Sequence, residues 1–166
     1  MVNRHKLPAI SHSILFVCSA NQCRSPMAMV LFGKLVRDKR FGLEEWIIAS
    51  AGCQAFSCLP ATSTAQFIMQ NRGLDLSRHR SQMVTQELFN DYSLILCMEK
   101  DQKAFIQNRY PTFSIRVYLL SEMDGREEDI EDPVGQPPSV YQKTAELMME
   151  YIVNGFESIC RLSKNA

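Results

Sequence analysis

The order of segments in this chain predicts an α/β fold, a four-stranded parallel twisted sheet with helices on both faces. Three observations carry it. Four short apolar runs alternate with segments of helical spacing, the β-α-β order that builds a parallel sheet. The length, 166 residues, suits one domain. No repeat, low-complexity tract or flexible linker divides it.

The elements follow in order. Ile14 to Val17 is an apolar run bounded by polar residues and reads as a buried strand. Ser25 and Pro26 then open a helix, Ser as a cap and Pro at the first helical position. Met27, Val30, Leu31, Lys34 and Leu35 carry it, and the pattern fades near Arg40 to Gly42. Trp46 to Ala49 is a second strand, ended by Ser50, Ala51 and Gly52. Thr62 to Asn71 is helical, with Gly73 as its stop. Thr85 to Leu88 is a helical turn, and Tyr92 to Met98 a third strand. Lys100 to Arg109 is a helix closed by Tyr110 and Pro111, and Ile115 to Leu120 a fourth strand. Glu122 to Asp132 is acidic and irregular, and Ser139 to Leu162 a long last helix.

Eighteen basic residues balance eighteen acidic ones. A chain without basic excess is not expected to bind nucleic acid or an anionic membrane in bulk. No run approaches the length of a membrane span, and Ile14 to Val17 is too short for a signal-peptide core. A cytoplasmic protein is expected, with residues 1–12 as an N-terminal tail holding His5 and His12, and 13–166 as one domain. Its six cysteines are then reduced thiols.

In parallel folds ligands sit beyond the carboxyl ends of the strands, which points to the loop after the first one. It reads Cys18, Ser19, Ala20, Asn21, Gln22, Cys23, Arg24, Ser25. A seven-residue loop between a strand and a helix start turns its N–H groups toward one spot, a nest for a phosphate-sized anion. Cys18 stands at the bottom of that bowl. A thiolate is a strong nucleophile, but little forms near neutral pH unless its surroundings favour the anion. The amide nest, Ser25 and Arg24 are the candidates for that task. The planar fork of Arg24 can also hold two phosphoryl oxygens at once. The plain alternative is a buried structural Cys beside a surface Arg. Asn21 is either a turn residue or a link across the loop, since Asn tolerates left-handed backbone.

Displacing an alkoxide or phenoxide also needs a proton donor. Glu122, Asp124, Glu127, Glu128, Asp129, Glu131 and Asp132 are candidates, and most such runs are solvated loops. Asp132 stands apart because Pro133 restricts it to extended backbone and so aims its carboxylate. Four cysteines, Cys18, Cys23, Cys53 and Cys58, raise the thought of zinc, but no compact ligand pairing exists. No metal or cofactor is expected.

The run Val-Cys-x-x-Asn-x-Cys-Arg-Ser-Pro-Met-Ala resembles the signature of the low-molecular-weight protein tyrosine phosphatase family. The likeness continues through Ser50-Ala51-Gly52, Gly73 to Ser77, His79-Arg80, Leu94 to Met98 and Asp132-Pro133. It implies metal-independent hydrolysis of phosphotyrosine in a phosphorylated protein, through a phosphocysteine on Cys18. By the same resemblance Arg24 binds the phosphoryl group and Asp132 is the general acid. Asn21 orders the loop through Ser50, and Cys23 is a redox partner that traps oxidised Cys18. Phe56 and Val134 are candidates for the substrate pocket.

The chain also departs from that pattern. Val134, Gly135 and Gln136 follow Asp-Pro where many relatives carry aromatic residues. Asp-Pro-x-Gly with Tyr141 and Thr144 is similar to the protein arginine phosphatases of the same fold. Those carry Thr before the second loop Cys and tyrosine phosphatases often Ile, whereas this chain has Gln22. Gln82 stands where many relatives have a basic residue. Three alternatives stand beside the main reading: a phosphoarginine phosphatase, an arsenate reductase, which would need further shuttle thiols, and a non-catalytic phosphoprotein-binding module.

Overall fold

The computed structural model describes residues 10–39 and 45–165. The first nine residues of the expected tail, and the segment Arg40 to Gly42 where the first helix was expected to fade, lie outside the described residues. Four strands form one sheet: β1 (His12–Cys18), β2 (Trp46–Gly52), β3 (Leu94–Cys97) and β4 (Val117–Leu119). Their order is β2-β1-β3-β4 and every pairing is parallel. Six α-helices accompany them: α1 (Arg24–Asp38), α2 (Ser63–Gln70), α3 (Gln86–Asn90), α4 (Lys100–Arg109), α5 (Pro138–Asn154) and α6 (Phe156–Leu162).

The alternation of β1 sets the two layers. Ile14 and Phe16 face a core built with Met27, Leu31, Phe32 and Val36 of α1, Ile68 and Met69 of α2, Met148 and Ile152 of α5 and Ile159 of α6. Leu15 and Val17 face the opposite core, with Phe89 of α3, Ile106 of α4 and Phe113. All four β1 side chains are fully buried, each contributing roughly 1.5–3 kcal/mol by leaving water. The site-bearing strand is therefore buried on both faces and paired on both edges.

Three elements differ from the sequence reading. The fourth strand begins at Val117, because Pro111–Arg116 is a 3-10 helix. Ile115, 80% exposed, has no core to face there. The last helix is two helices, α5 and α6, meeting at Gly155. The chain there lies so close to Met123 that a Cβ on Gly155 would stand 2.5 Å from the Met123 Cβ. His12 is not tail: it opens β1, bridges to Lys164 and stacks on Trp46 with ring centroids 4.3 Å apart.

The strand order places the site. β1 sits between β2 and β3, and the connections leaving β1 and β3 run in opposite directions across the sheet. That reversal opens a crevice beyond their carboxyl ends. The loop Ser19–Cys23 fills one side of it and Met98–Glu99 the other.

Candidate active site

The loop after β1 curls over Cys18. The Asn21 N–H points at the Cys18 Sγ, 3.3 Å away, and the Ser25 Oγ lies 3.0 Å from it. The N-cap of α1 is Cys23, with no side-chain cap. Ser25 was expected as that cap, but it lies inside the helix with its hydroxyl turned to the sulfur. The Asn21 N–H thus donates to the sulfur, while the Ser25 hydroxyl, beside it, also reaches the Ala51 carbonyl at 3.2 Å. Cys18 is 3% exposed, so charge on the sulfur sits in a shielded place.

Asn21 holds the curl. It adopts φ 56°, which Asn tolerates better than most residues. Its Nδ2 donates to the Ser25 Oγ and to the Ser50 Oγ, both at 2.9 Å, and its Oδ1 accepts from the Gln82 N–H at 2.9 Å. From the β2 side, the Cys53 N–H donates to the Cys18 carbonyl and the Gln54 N–H to the Ser19 carbonyl, both at 2.9 Å. Gly52 leaves no space between: a Cβ there would stand 2.5 Å from the Ser19 carbonyl oxygen. Burial pushes the Cys53 thiol up to about 12, with charge on Cys18 adding to the push. Cys23 is also buried, and desolvation raises it well above the ordinary thiol range, with Asp132 next among the causes.

Arg24 is 1% exposed and makes three polar contacts. Its Nη1 donates to the Ile130 carbonyl at 2.7 Å and lies 3.1 Å from the Glu99 Oε2. Its Nη2 donates to the Asp132 Oδ2 at 2.8 Å. Its Nε has no partner, the one such buried side-chain nitrogen or oxygen among the described residues. A buried donor without an acceptor is costly, and an oxyanion held by the loop would satisfy it. Asp132 is exposed, and its Oδ1 accepts from the Val134 N–H at 3.2 Å. Pro133 behind it is buried.

The structure thus brings together Cys18, Asn21, Arg24, Ser25, Ser50 and Asp132. It leaves Phe56 and Val134 standing 79% and 53% exposed, neither packed into a wall. Gln22 turns its Nε2 to the Pro60 carbonyl, 3.0 Å away.

Two contacts were missed in the sequence. Glu99, after β3, clamps Arg24. Gln102 is buried in α4 and donates to the Ser19 Oγ at 3.1 Å while accepting from the Met98 N–H at 3.0 Å. It also donates to the Glu99 carboxylate, closing a capping box. The rule that drew attention to the loop after β1 applies equally to the residues after β3, and would have found Glu99.

His79 supports the loop from outside. Its Nε2 lies 2.6 Å from the Asn21 carbonyl oxygen, so that nitrogen carries the proton. Burial holds the ring below its ordinary 6.5, against the hydrogen bond to Asn21, which raises it, and with Arg80, which lowers it. The folded value is the lower one, so below about pH 6.5 the unfolded chain binds more protons and the fold loses stability on acidification. Thermal midpoints should fall from about pH 7 to about pH 5, less steeply in His79→Gln. His12, also lowered by burial, keeps part of the slope. An identical slope in His79→Gln would remove this account.

Comparison with known proteins places this geometry. A family model described as low molecular weight phosphotyrosine protein phosphatase matches residues 13–164. The probable low molecular weight protein-tyrosine-phosphatase EpsP of Ralstonia nicotianae is 37% identical over 136 residues, 82% of this chain and 88% of that protein. The protein-arginine-phosphatase of Geobacillus stearothermophilus is 33% identical over 132 residues, 79% of this chain and 84% of its own length. The crystal structure of a low molecular weight protein tyrosine phosphatase from T. tengcongensis superposes with a TM-score of 0.82 at 35% identity. It covers 89% of this chain and 99% of the other.

Proposed function

This chain belongs to the low molecular weight phosphotyrosine protein phosphatase family, and from that premise we propose the roles of its residues and its substrate. The enzyme hydrolyses phosphotyrosine in a phosphorylated protein, through a phosphocysteine on Cys18. The observation that supports this best is the grouping at the sulfur: the Asn21 N–H donating to it, the Ser25 hydroxyl 3.0 Å away, and the unpaired Nε of Arg24 at the start of α1.

In the first step the Cys18 thiolate attacks phosphorus in line with the phenolic oxygen. The S–P bond forms as the P–O bond breaks, and Asp132 gives its proton to the departing oxygen. Arg24 and the loop amides meet the charge on the equatorial oxygens, with no reorganisation at the moment of transfer. In the second step Asp132, now a carboxylate, takes a proton from water. The water oxygen displaces the Cys18 sulfur and releases phosphate. Neither step calls on a metal. The arm from Asp132 to Arg24 keeps the acid at the bowl, and the phosphoryl group competes with it for the guanidinium.

Asp132→Asn tests the acid. Turnover of phosphotyrosine should fall about 10²- to 10⁴-fold. The loss should be smaller for para-nitrophenyl phosphate, whose leaving group needs less protonation. An equal loss on both would deny Asp132 the proton transfer.

The second reading is phosphoarginine, since relatives include protein-arginine-phosphatases. Assay of phosphotyrosyl against phosphoarginyl peptides separates the two: turnover of phosphoarginine alone would overturn the first. The cytoplasm is the proposed location, which cell fractionation checks. Among the described residues no helix is long and apolar enough to cross a membrane.

A further inference from the structure

One buried amide, unused by the chemistry above, stands between the loop after β1 and the clamp on Arg24. Gln102, in the first turn of α4, is 5% exposed. Its Oε1 accepts from the Met98 N–H at 3.0 Å and from the Glu99 N–H at 3.2 Å. Its Nε2 donates to the Ser19 Oγ at 3.1 Å and to the Glu99 Oε2. Two lone pairs and two hydrogens are thus all engaged, and among side-chain groups the amide carries both pairs. A carboxylate in its place would only accept, and an ammonium would only donate.

The carboxylate oxygen that Gln102 holds is the one that lies 3.1 Å from the Arg24 Nη1. The Glu99 side chain is 30% exposed, whereas that of Arg24 is 1% exposed. An ion pair open to water on one side is weakly held, because the carboxylate is free to turn outward. The buried amide removes that freedom. It also fixes the pair relative to Ser19, the residue after Cys18. Arg24 has a second carboxylate partner, Asp132, but the phosphoryl group competes for that contact. Glu99 is then the carboxylate that stays on the guanidinium while Asp132 handles the proton.

We propose that Gln102 is a positioning residue for the phosphoryl-binding guanidinium: its amide holds the Glu99 carboxylate against Arg24 and ties both to Ser19. This rests on the phosphatase reading above and on the role of Arg24 in it. Gln102→Glu separates positioning from folding. Glu at this helical position still accepts from the Glu99 N–H, so the capping box keeps its acceptor. The two donations, to Glu99 and to Ser19, are lost, and two carboxylates then share one site. Acid relieves that repulsion, because one proton between the pair restores a donor. Asp101, which shares a cavity with the pair, Asp129, which accepts from the Lys100 N–H at 2.8 Å, Asp132 across Arg24 and the Cys53 thiol are the other titratable groups nearby. They are common to parent and variant, so the ratio of the two activities removes their titration.

The test compares parent, Gln102→Glu, Glu99→Gln and the double variant of the full chain, with para-nitrophenyl phosphate as substrate. At about pH 7, kcat/KM of Gln102→Glu should fall about 10-fold, the scale of a misplaced binding group. The ratio of Gln102→Glu to parent should recover at least about threefold between about pH 7.5 and about pH 5. Thermal midpoints should agree within about 3 °C. The double variant exchanges carboxylate and amide, so one amide-to-carboxylate hydrogen bond returns. It should exceed Gln102→Glu alone by about threefold or more, where independent losses would multiply. Parent-like activity in Gln102→Glu, a ratio flat with pH, or multiplying losses in the double variant would overturn the proposal. So would a fall in thermal midpoint that accounts for the lost activity, for Gln102 would then hold the fold rather than the guanidinium. A parent without turnover, or an Arg24→Lys variant within about tenfold of it, would instead overturn the reading on which the proposal rests.

Discussion

Cys18→Ser should abolish turnover, with kcat on para-nitrophenyl phosphate in EDTA falling at least about 10⁴-fold, as for other enzymes stripped of their nucleophile. The cause is chemical. Sulfur at this position accepts from the Asn21 N–H and has the Ser25 hydroxyl 3.0 Å away. A serine hydroxyl there would meet the same neighbours but ionises far less readily than a thiol, and among the described residues no histidine hydrogen-bonds the position to take its proton. The smaller oxygen fits a site that is 3% exposed, and the bowl is made by other residues. Inorganic phosphate should therefore still bind the variant, which separates loss of the nucleophile from loss of the fold. Activity above about 1% of the parent, with phosphate binding intact, would rule out the covalent route.

Arg24→Lys should cost nearly as much, a fall of about 10³-fold or more in kcat/KM, the scale on which transition-state arginines act in phosphoryl transfer. Charge is conserved, so the effect reads geometry. Arg24 is fully buried and reaches Ile130, Glu99 and Asp132 with two of its nitrogens, keeping Nε for a further acceptor. A lysine offers one ammonium in place of that planar fork and cannot satisfy these partners and two phosphoryl oxygens together. Inhibition by inorganic phosphate should weaken in parallel. Glu99→Gln is the companion variant: it keeps the guanidinium and loosens one clamp, so its loss should be much smaller. If Arg24→Lys retained activity within about tenfold of the parent, Arg24 would serve only as a positive charge.

The bowl was legible in the sequence because it is local. Cys18 to Ser25 are contiguous, and a strand before them with a helix start after them sets the curl. Asp132 was legible for a similar reason, since Pro133 restricts its backbone. The same local reasoning misplaced Ser25. A serine before a proline reads as a cap, whereas here the helix begins two residues earlier, capped at Cys23, and the hydroxyl faces sulfur. It also joined α5 to α6, because the approach of Gly155 to Met123 leaves no periodic mark. Ile115 read as strand because an isoleucine shows its apolar character whether or not a core exists to receive it.

Short-range order was thus settled by the chain alone: the buried alternation of β1, the curled turn after it, the thiol at its base and the aspartate before Pro133. Assembly decided everything that joins distant segments. It brought Glu99 and Ile130 onto Arg24 and Gln82 onto Asn21, whereas the Asn21–Ser50 link was expected from the family resemblance. The reason is that a strand or tight turn follows from neighbours a few residues apart. Which loops share a crevice depends on the order in which strands lie side by side, and that order is a property of the whole packed sheet.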